Sequence, residues 1–176
     1  MRVLKYVLVA VALIALLLVS KKTTGPKIGI QAPSFSARTM SGRMVDGKQL
    51  HGKTVVVEFW ATWCPACVSS LPALHRFHEQ YGKDPSIEVF AVHVPKGAIP
   101  AAVKRFCDKR QYGFPLVLDR NARLSTDFQI QSIPTLIVIS PNGEVHHVKN
   151  GALGGSPEDG ARRIKQWVDA ASGPST

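Results

Sequence analysis

The stretch from Val55 to Cys67 constrains this chain more than any other. It reads Val55-Val56-Val57-Glu58-Phe59-Trp60-Ala61-Thr62-Trp63-Cys64-Pro65-Ala66-Cys67. A run of β-branched and aromatic residues this dense predicts a buried strand. Past the second cysteine, residues 68–77 carry apolar side chains at helical spacing. The Cys-x-x-Cys pair therefore stands where a buried strand hands over to a helix. A helix start presents unpaired backbone N–H groups and the positive end of the helix dipole. Both favour a thiolate over a thiol, and the thiolate is the nucleophile. Cys64 comes first and is expected to be the more exposed sulfur; Cys67, one turn in, is expected to be the more buried.

The rest of the chain alternates strand and helix signals. Ile87–Val94, 115–118 and 136–139 read as strands, and 145–148 as a strand following a turn at Pro141-Asn142-Gly143-Glu144. Ile99–Tyr112 and Asn121–Phe128 read as helices. Ser156 is placed to cap a last helix running through Val168. Turn signals at Met40–Arg43 and Asp46-Gly47 stand around short strands ahead of the central strand. Strands that alternate with helices and close on a hairpin predict an α/β sandwich with a mixed sheet.

At the N-terminus, Val7–Val19 is unbroken apolar sequence, which Val3 and Leu4 extend across Lys5 and Tyr6. No small-x-small cleavage site follows, which favours a membrane anchor over residues 1–20, with a signal-like segment as the alternative. The seventeen residues from Val3 make a helix of about 26 Å, slightly short of a ~30 Å hydrocarbon core. A polar Gly-Pro linker occupies 21–27, the globular domain 28–172 and a tail 173–176. The +10 net charge is uneven: residues 1–30 hold five basic and no acidic residues. The remaining surface is modestly basic, without the aromatic-basic interleaving of a nucleic-acid site, so no nucleic-acid partner is expected.

The segment Phe59–Cys67 resembles the active-site segment of the thioredoxin superfamily, and of its membrane-tethered, extracytoplasmic TlpA/ResA-like branch in particular. Glu58 falls where thioredoxins carry a buried acid beneath the cysteines. Pro72 falls on the proline of the active-site helix, and Ser132-Ile133-Pro134-Thr135 is similar to the family's cis-proline loop. The resemblance covers roughly residues 28–170. It implies a thioredoxin-like three-layer sandwich with a mixed central sheet and an N-terminal β-hairpin extension. It implies further that Cys64 attacks, that Cys67 resolves, and that the two close a redox-active disulfide. By the same resemblance Glu58 moves a proton for Cys67, although a glutamate departs from the usual aspartate. Trp63, Pro65, Ile133, cis-Pro134 and Gly151 would border the substrate, with Ile133 offering its backbone to an extended chain as an added strand would.

Relatives of this branch reduce particular extracytoplasmic proteins, among them haem-site thiols in cytochrome c maturation and copper-site thiols. They draw electrons from a membrane thiol donor of the DsbD/CcdA kind. This places the domain in the periplasm or its equivalent, tethered to a bacterial inner membrane. No cofactor or metal is implied. A structural zinc needs about four ligands, and no second Cys-x-x-Cys or suitably spaced His pair accompanies the first. His75 and His78 read as ordinary helix histidines, and Cys107 as a small buried hydrophobe. Two other activities stay open on the residues: a DsbA-like oxidase, since Pro65 directly follows the first cysteine, and a copper-handling chaperone using the dithiol as soft ligands. Peroxidase chemistry is excluded by the absence of Pro-x-x-x-Thr/Ser-x-x-Cys around either cysteine.

Overall fold

The computed structural model describes residues 25–95, 97 and 99–173. The expected anchor, most of the linker and the last three residues of the tail lie outside these. Among the described residues no helix is long and apolar enough to cross a membrane.

A five-stranded sheet runs in the order β5-β4-β3-β6-β7. Its strands are β3 (Thr54–Trp60), β4 (Ile87–His93), β5 (Leu116–Leu118), β6 (Thr135–Ile139) and β7 (Val145–Asn150). β3 pairs in parallel with β4 and antiparallel with β6, which makes it the centre of a mixed sheet. Every residue of β3 is buried, as expected of a strand covered on both faces. The apolar run that marked it in the sequence is the result of that double burial.

Side chains alternate across the sheet. On one face Phe59 meets Phe128 at 5.4 Å, and Phe35 bridges Phe128 and Phe90. On the other, Trp60 packs on Phe106 at 5.6 Å. The second face carries the helices α1 (Pro65–Tyr81), α2 (Pro100–Lys109) and α4 (Pro157–Ser172). The short α3 (Arg123–Asp127) lies on the first. A separate hairpin, β1 (Ser36–Arg38) with β2 (Met44–Asp46), reaches the sheet through a Thr39–Val117 bridge and a 2.7 Å bond from Met40 N–H to the Leu116 carbonyl. That contact covers the otherwise open edge of β5. The layers and the N-terminal hairpin are those the sequence implied.

Helix boundaries moved for local reasons. The active-site helix begins at Pro65, directly after the first cysteine. Its first position suits proline, whose fixed φ and missing N–H cost nothing there. The helix expected over 99–112 stops at Lys109, and Gln111 takes φ 57°, a left-handed position that cannot continue it. The helix expected from Asn121 starts at Arg123. Left-handed Ala122 precedes it, and the Asp119 carboxylate accepts from the Leu124 and Ser125 N–H groups at 3.0 and 2.8 Å. Ser156 caps α4 reciprocally with Asp159. α4 lies so close to α1 that a Cβ on Gly160 would meet the Cβ of Ala73.

Candidate active site

Cys64 is the N-cap of α1, with extended backbone at φ −101° and ψ 106°. Its Sγ accepts from the Cys67 N–H at 3.1 Å, so the sulfur takes the position of the usual capping oxygen. The two cysteines are joined as a disulfide with Cα atoms 5.2 Å apart. Cys64 is 7% exposed and Cys67 fully buried. Only the first sulfur can therefore meet a partner at the surface.

Two further segments close around Cys64. The Ile133–Pro134 peptide is cis, and the Ile133 carbonyl oxygen lies 3.7 Å from Cys64 Sγ. Thr135 Oγ1 lies 2.7 Å from the Ser132 carbonyl and 2.8 Å from the Asn150 side-chain amide, which ties this loop to the end of β7. Gly151, at φ 78°, donates its N–H to the Pro134 carbonyl at 2.8 Å. A side chain there would be strained, so glycine suits the crossing of these two loops. Trp63 and Pro65 are exposed on either side of Cys64, Trp63 to 46%. Beside them lies a groove of about 280 Å³ lined by Trp63, Val94, Pro95, Ile130, Ser132 and Ile133. The structure thus brings Trp63, Pro65, Ile133, Pro134 and Gly151 to one rim around Cys64.

Glu58 is on β3, on the face that α1 covers, and is fully buried. Neither of its carboxyl oxygens has a hydrogen-bond partner among the described residues. Burial pushes its pKa up to about 7, against a smaller lowering by the Ser70 hydroxyl. An acid that ionises near neutrality can both give and take a proton at physiological pH. Ser70, one turn after Cys67 on α1 and itself buried, had no signal in the sequence that would set it apart.

Other residues weighed in the sequence lie elsewhere. Cys107 is free and buried in α2, and burial pushes its thiol up to about 11, so it stays protonated. His75 packs against Tyr112 with the rings tilted, and His78 is held below the usual histidine value by burial. Among the described residues no group of three or more His, Cys, Asp or Glu is placed to hold a metal ion.

Comparison with known proteins agrees with this geometry. The Redoxin family model matches residues 27–163. The thiol-disulfide oxidoreductase ResA of Oceanobacillus iheyensis is 31% identical over 153 residues, covering 83% of this chain and 78% of that protein. The thioredoxin-like protein YneN of Bacillus subtilis is 30% identical over 135 residues, covering 76% and 78%. Among solved structures, StoA from Bacillus subtilis superposes with a TM-score of 0.66 at 26% identity, over 77% of this chain and 96% of that one. A thiol:disulfide interchange protein of the thioredoxin family from Chlorobium tepidum gives 0.67 at 26% identity, over 82% and 99%.

Proposed function

The chain belongs to the Redoxin family and is a thiol–disulfide oxidoreductase, and from that premise we propose that it reduces disulfides of particular extracytoplasmic proteins. The observation that carries the reading is the Ile133 carbonyl oxygen 3.7 Å from Cys64 Sγ, beside a sulfur that has one backbone donor in view. An oxygen lone pair facing the sulfur disfavours a thiolate, so the dithiol is a willing electron donor.

The cycle needs only the residues described. In the reduced protein the Cys64 thiolate attacks one sulfur of the substrate disulfide. A mixed disulfide forms and the other substrate sulfur leaves as a thiolate, which takes a proton. Cys67 then loses its proton toward Glu58 and attacks Cys64 Sγ. The Cys64–Cys67 disulfide closes, and the second substrate sulfur leaves and is protonated in turn. Two electrons and two protons pass to the substrate. The buried, unpartnered carboxyl of Glu58 is suited to take the Cys67 proton. The groove beside Trp63 and the Ile133 backbone suit an extended substrate segment laid along the loop.

Regeneration needs a dithiol donor, because extracytoplasmic compartments are oxidising. A membrane thiol donor of the DsbD/CcdA kind fits that need. The apolar segment 3–19 would hold the enzyme at the same inner membrane. Haem-site or copper-site thiols are the substrate classes this reading favours. Capture decides: the Cys67→Ser protein, expressed with its N-terminal segment, is expected to accumulate mixed disulfides with one or a few exported proteins. Failure to trap any exported cysteine protein, with the variant folded, would remove the reading.

A further inference from the structure

His93 is the last residue of β4 and pairs in register with Trp60 at the end of β3. It is 2% exposed, and the cysteine chemistry makes no use of it. Its ring stands edge-on to Trp60, centroids 5.0 Å apart with an 82° angle between planes. Its Nε2 accepts from the Thr62 backbone N–H at 3.2 Å, and the Thr62 hydroxyl oxygen lies 3.4 Å away. Thr62 is the middle of the turn between β3 and α1. The ends of that turn are closed by Cys64 N–H donating to the Ala61 carbonyl at 3.2 Å. One imidazole nitrogen thus holds the centre of the short turn that aims Trp63 and Cys64.

A backbone N–H can only donate. The Nε2 that faces it must therefore be an acceptor, and the ring proton must sit on Nδ1. Protonation would put an Nε2–H against the Thr62 N–H, donor against donor, leaving only the threonine hydroxyl to accept. Protons have access. His93 borders a cavity of about 280 Å³ with Pro95, Gly97, Pro100, Asp119 and Arg120.

The groups around the ring do not hold its charge. The Asp119 carboxylate is turned to the N-terminus of α3, where it is bonded to Leu124, Ser125 and the Ser125 hydroxyl. Arg120 shares the cavity as a like charge, exposed to solvent. Trp60 of β3 and Phe106 of α2 are uncharged. Glu58, two residues earlier on β3, is neutral in the acid range. Burial accordingly holds His93 below the usual histidine value, against the smaller pull of the His93 and Val94 carbonyls.

We infer that His93 is a positioning residue for thiol–disulfide exchange: its neutral Nδ1–H tautomer latches the Thr62 backbone and fixes the active-site turn, and protonation releases the latch. The inference rests on Cys64 being the attacking sulfur for its kinetic arm alone.

Two measurements on the full chain in detergent micelles test it. The first is nitrogen NMR of the imidazoles. The expected result is a neutral His93 carrying its proton on Nδ1, with the Thr62 amide resonance moving in step with the His93 titration. A neutral His93 protonated on Nε2, or a Thr62 amide blind to its titration, overturns the latch whatever the enzyme's activity. The second compares the reduced wild type with His93→Gln in stopped-flow reaction with 2,2′-dipyridyl disulfide. The glutamine amide oxygen can replace Nε2 as acceptor but cannot titrate. The variant-to-wild-type rate ratio is expected near one where His93 is neutral and to rise about threefold or more as pH falls through the His93 titration that the NMR arm locates, because the wild type loses its latch there. A ratio constant across that range overturns the pH-dependent release. His93→Leu, with no acceptor, is expected to be slower than His93→Gln at every pH. Equal rates for the two would show that the acceptor does no positioning. If the variants fail to fold, the NMR arm on the wild type decides alone.

Discussion

The backbone N–H of Cys67 donates to Cys64 Sγ at 3.1 Å, so the attacking sulfur doubles as the cap of its own helix. Serine at position 64 would keep that cap, because its hydroxyl is among the best N-cap acceptors. Cys64→Ser is therefore expected to fold at close to the stability of the reduced wild type, which likewise lacks the Cys64–Cys67 disulfide, and to lose all exchange, so its inactivity reports chemistry rather than unfolding. Cys67→Ser should form mixed disulfides and stall. Cys107→Ser should turn over normally, since that thiol is buried and held protonated. Insulin-disulfide reduction by the three variants, with urea melts alongside, checks the division. A folded but inactive Cys107→Ser would break it.

Glu58 makes stability depend on pH in a direction opposite to most carboxylates. Its pKa is raised in the folded protein from 4.5 to about 7, so between those values the folded state holds a proton that the unfolded state has released. Stability therefore falls as pH rises from about 4.5 to 7 and is flat beyond. The raised pKa corresponds to roughly 3 kcal/mol at alkaline pH. Glu58→Gln should be more stable than wild type by up to about that amount at pH 8, the gain fading by pH 4.5. Urea unfolding of the oxidised proteins across this range measures it. In the proposed cycle Glu58 takes the Cys67 proton, so the same variant should also slow release of substrate from the mixed disulfide. A stability difference that does not vary with pH would mean that Glu58 is ionised, or solvated, throughout.

Much of this site was readable because it is local. Cys64, Pro65 and Cys67 follow one another, and the helix cap they form needs no distant partner. Glu58 stood out because one acid inside an apolar run has nowhere to go but a buried site. The placement of Ile133, Pro134 and Gly151 around Cys64 was expected through family resemblance alone, since their meeting depends on β6 crossing beside β3 from about seventy residues away. His93 carried the same mark as Glu58, a polar side chain in an apolar strand, but its partner Thr62 appears only once β3 and β4 are in register. The helix ends at Gln111 and Ala122 had no signal, because left-handed backbone falls there on residues with no preference for it.

The placement of α1 depends on Gly160. A Cβ there would clash with the Cβ of Ala73, in the contact between α4 and α1. Gly160→Ala gains up to about 1 kcal/mol in helix propensity, and forcing the helices apart costs about 1–3 kcal/mol. The clash should win: a net loss of up to about 2 kcal/mol is expected, read from urea melts. Because α1 carries both cysteines, exchange should slow as well. A stabilised Gly160→Ala protein would show that α4 packs less closely than this.

The direction of electron flow follows from what surrounds the Cys64 sulfur. A couple becomes oxidising when its reduced form is stabilised by a low thiol pKa, as at a helix mouth rich in donors. Here Pro65 fills the first helical position and brings no N–H. The Cys67 N–H is the one donor shown to Cys64 Sγ among the described contacts, and the Ile133 carbonyl oxygen faces the same sulfur at 3.7 Å. That oxygen can accept from a thiol but repels a thiolate. Glu58, once ionised, is a buried negative charge on the sheet face that α1 covers, and it opposes a second one there. Each of these raises the Cys64 thiol and lowers the potential. The couple is expected nearer roughly −270 mV than roughly −120 mV, the thioredoxin and DsbA values. Equilibration of the full chain against glutathione and dithiothreitol buffers measures it, with ultraviolet titration of the thiolate alongside. A potential above roughly −160 mV together with a strongly acidic Cys64 would make this protein an oxidase of exported thiols instead.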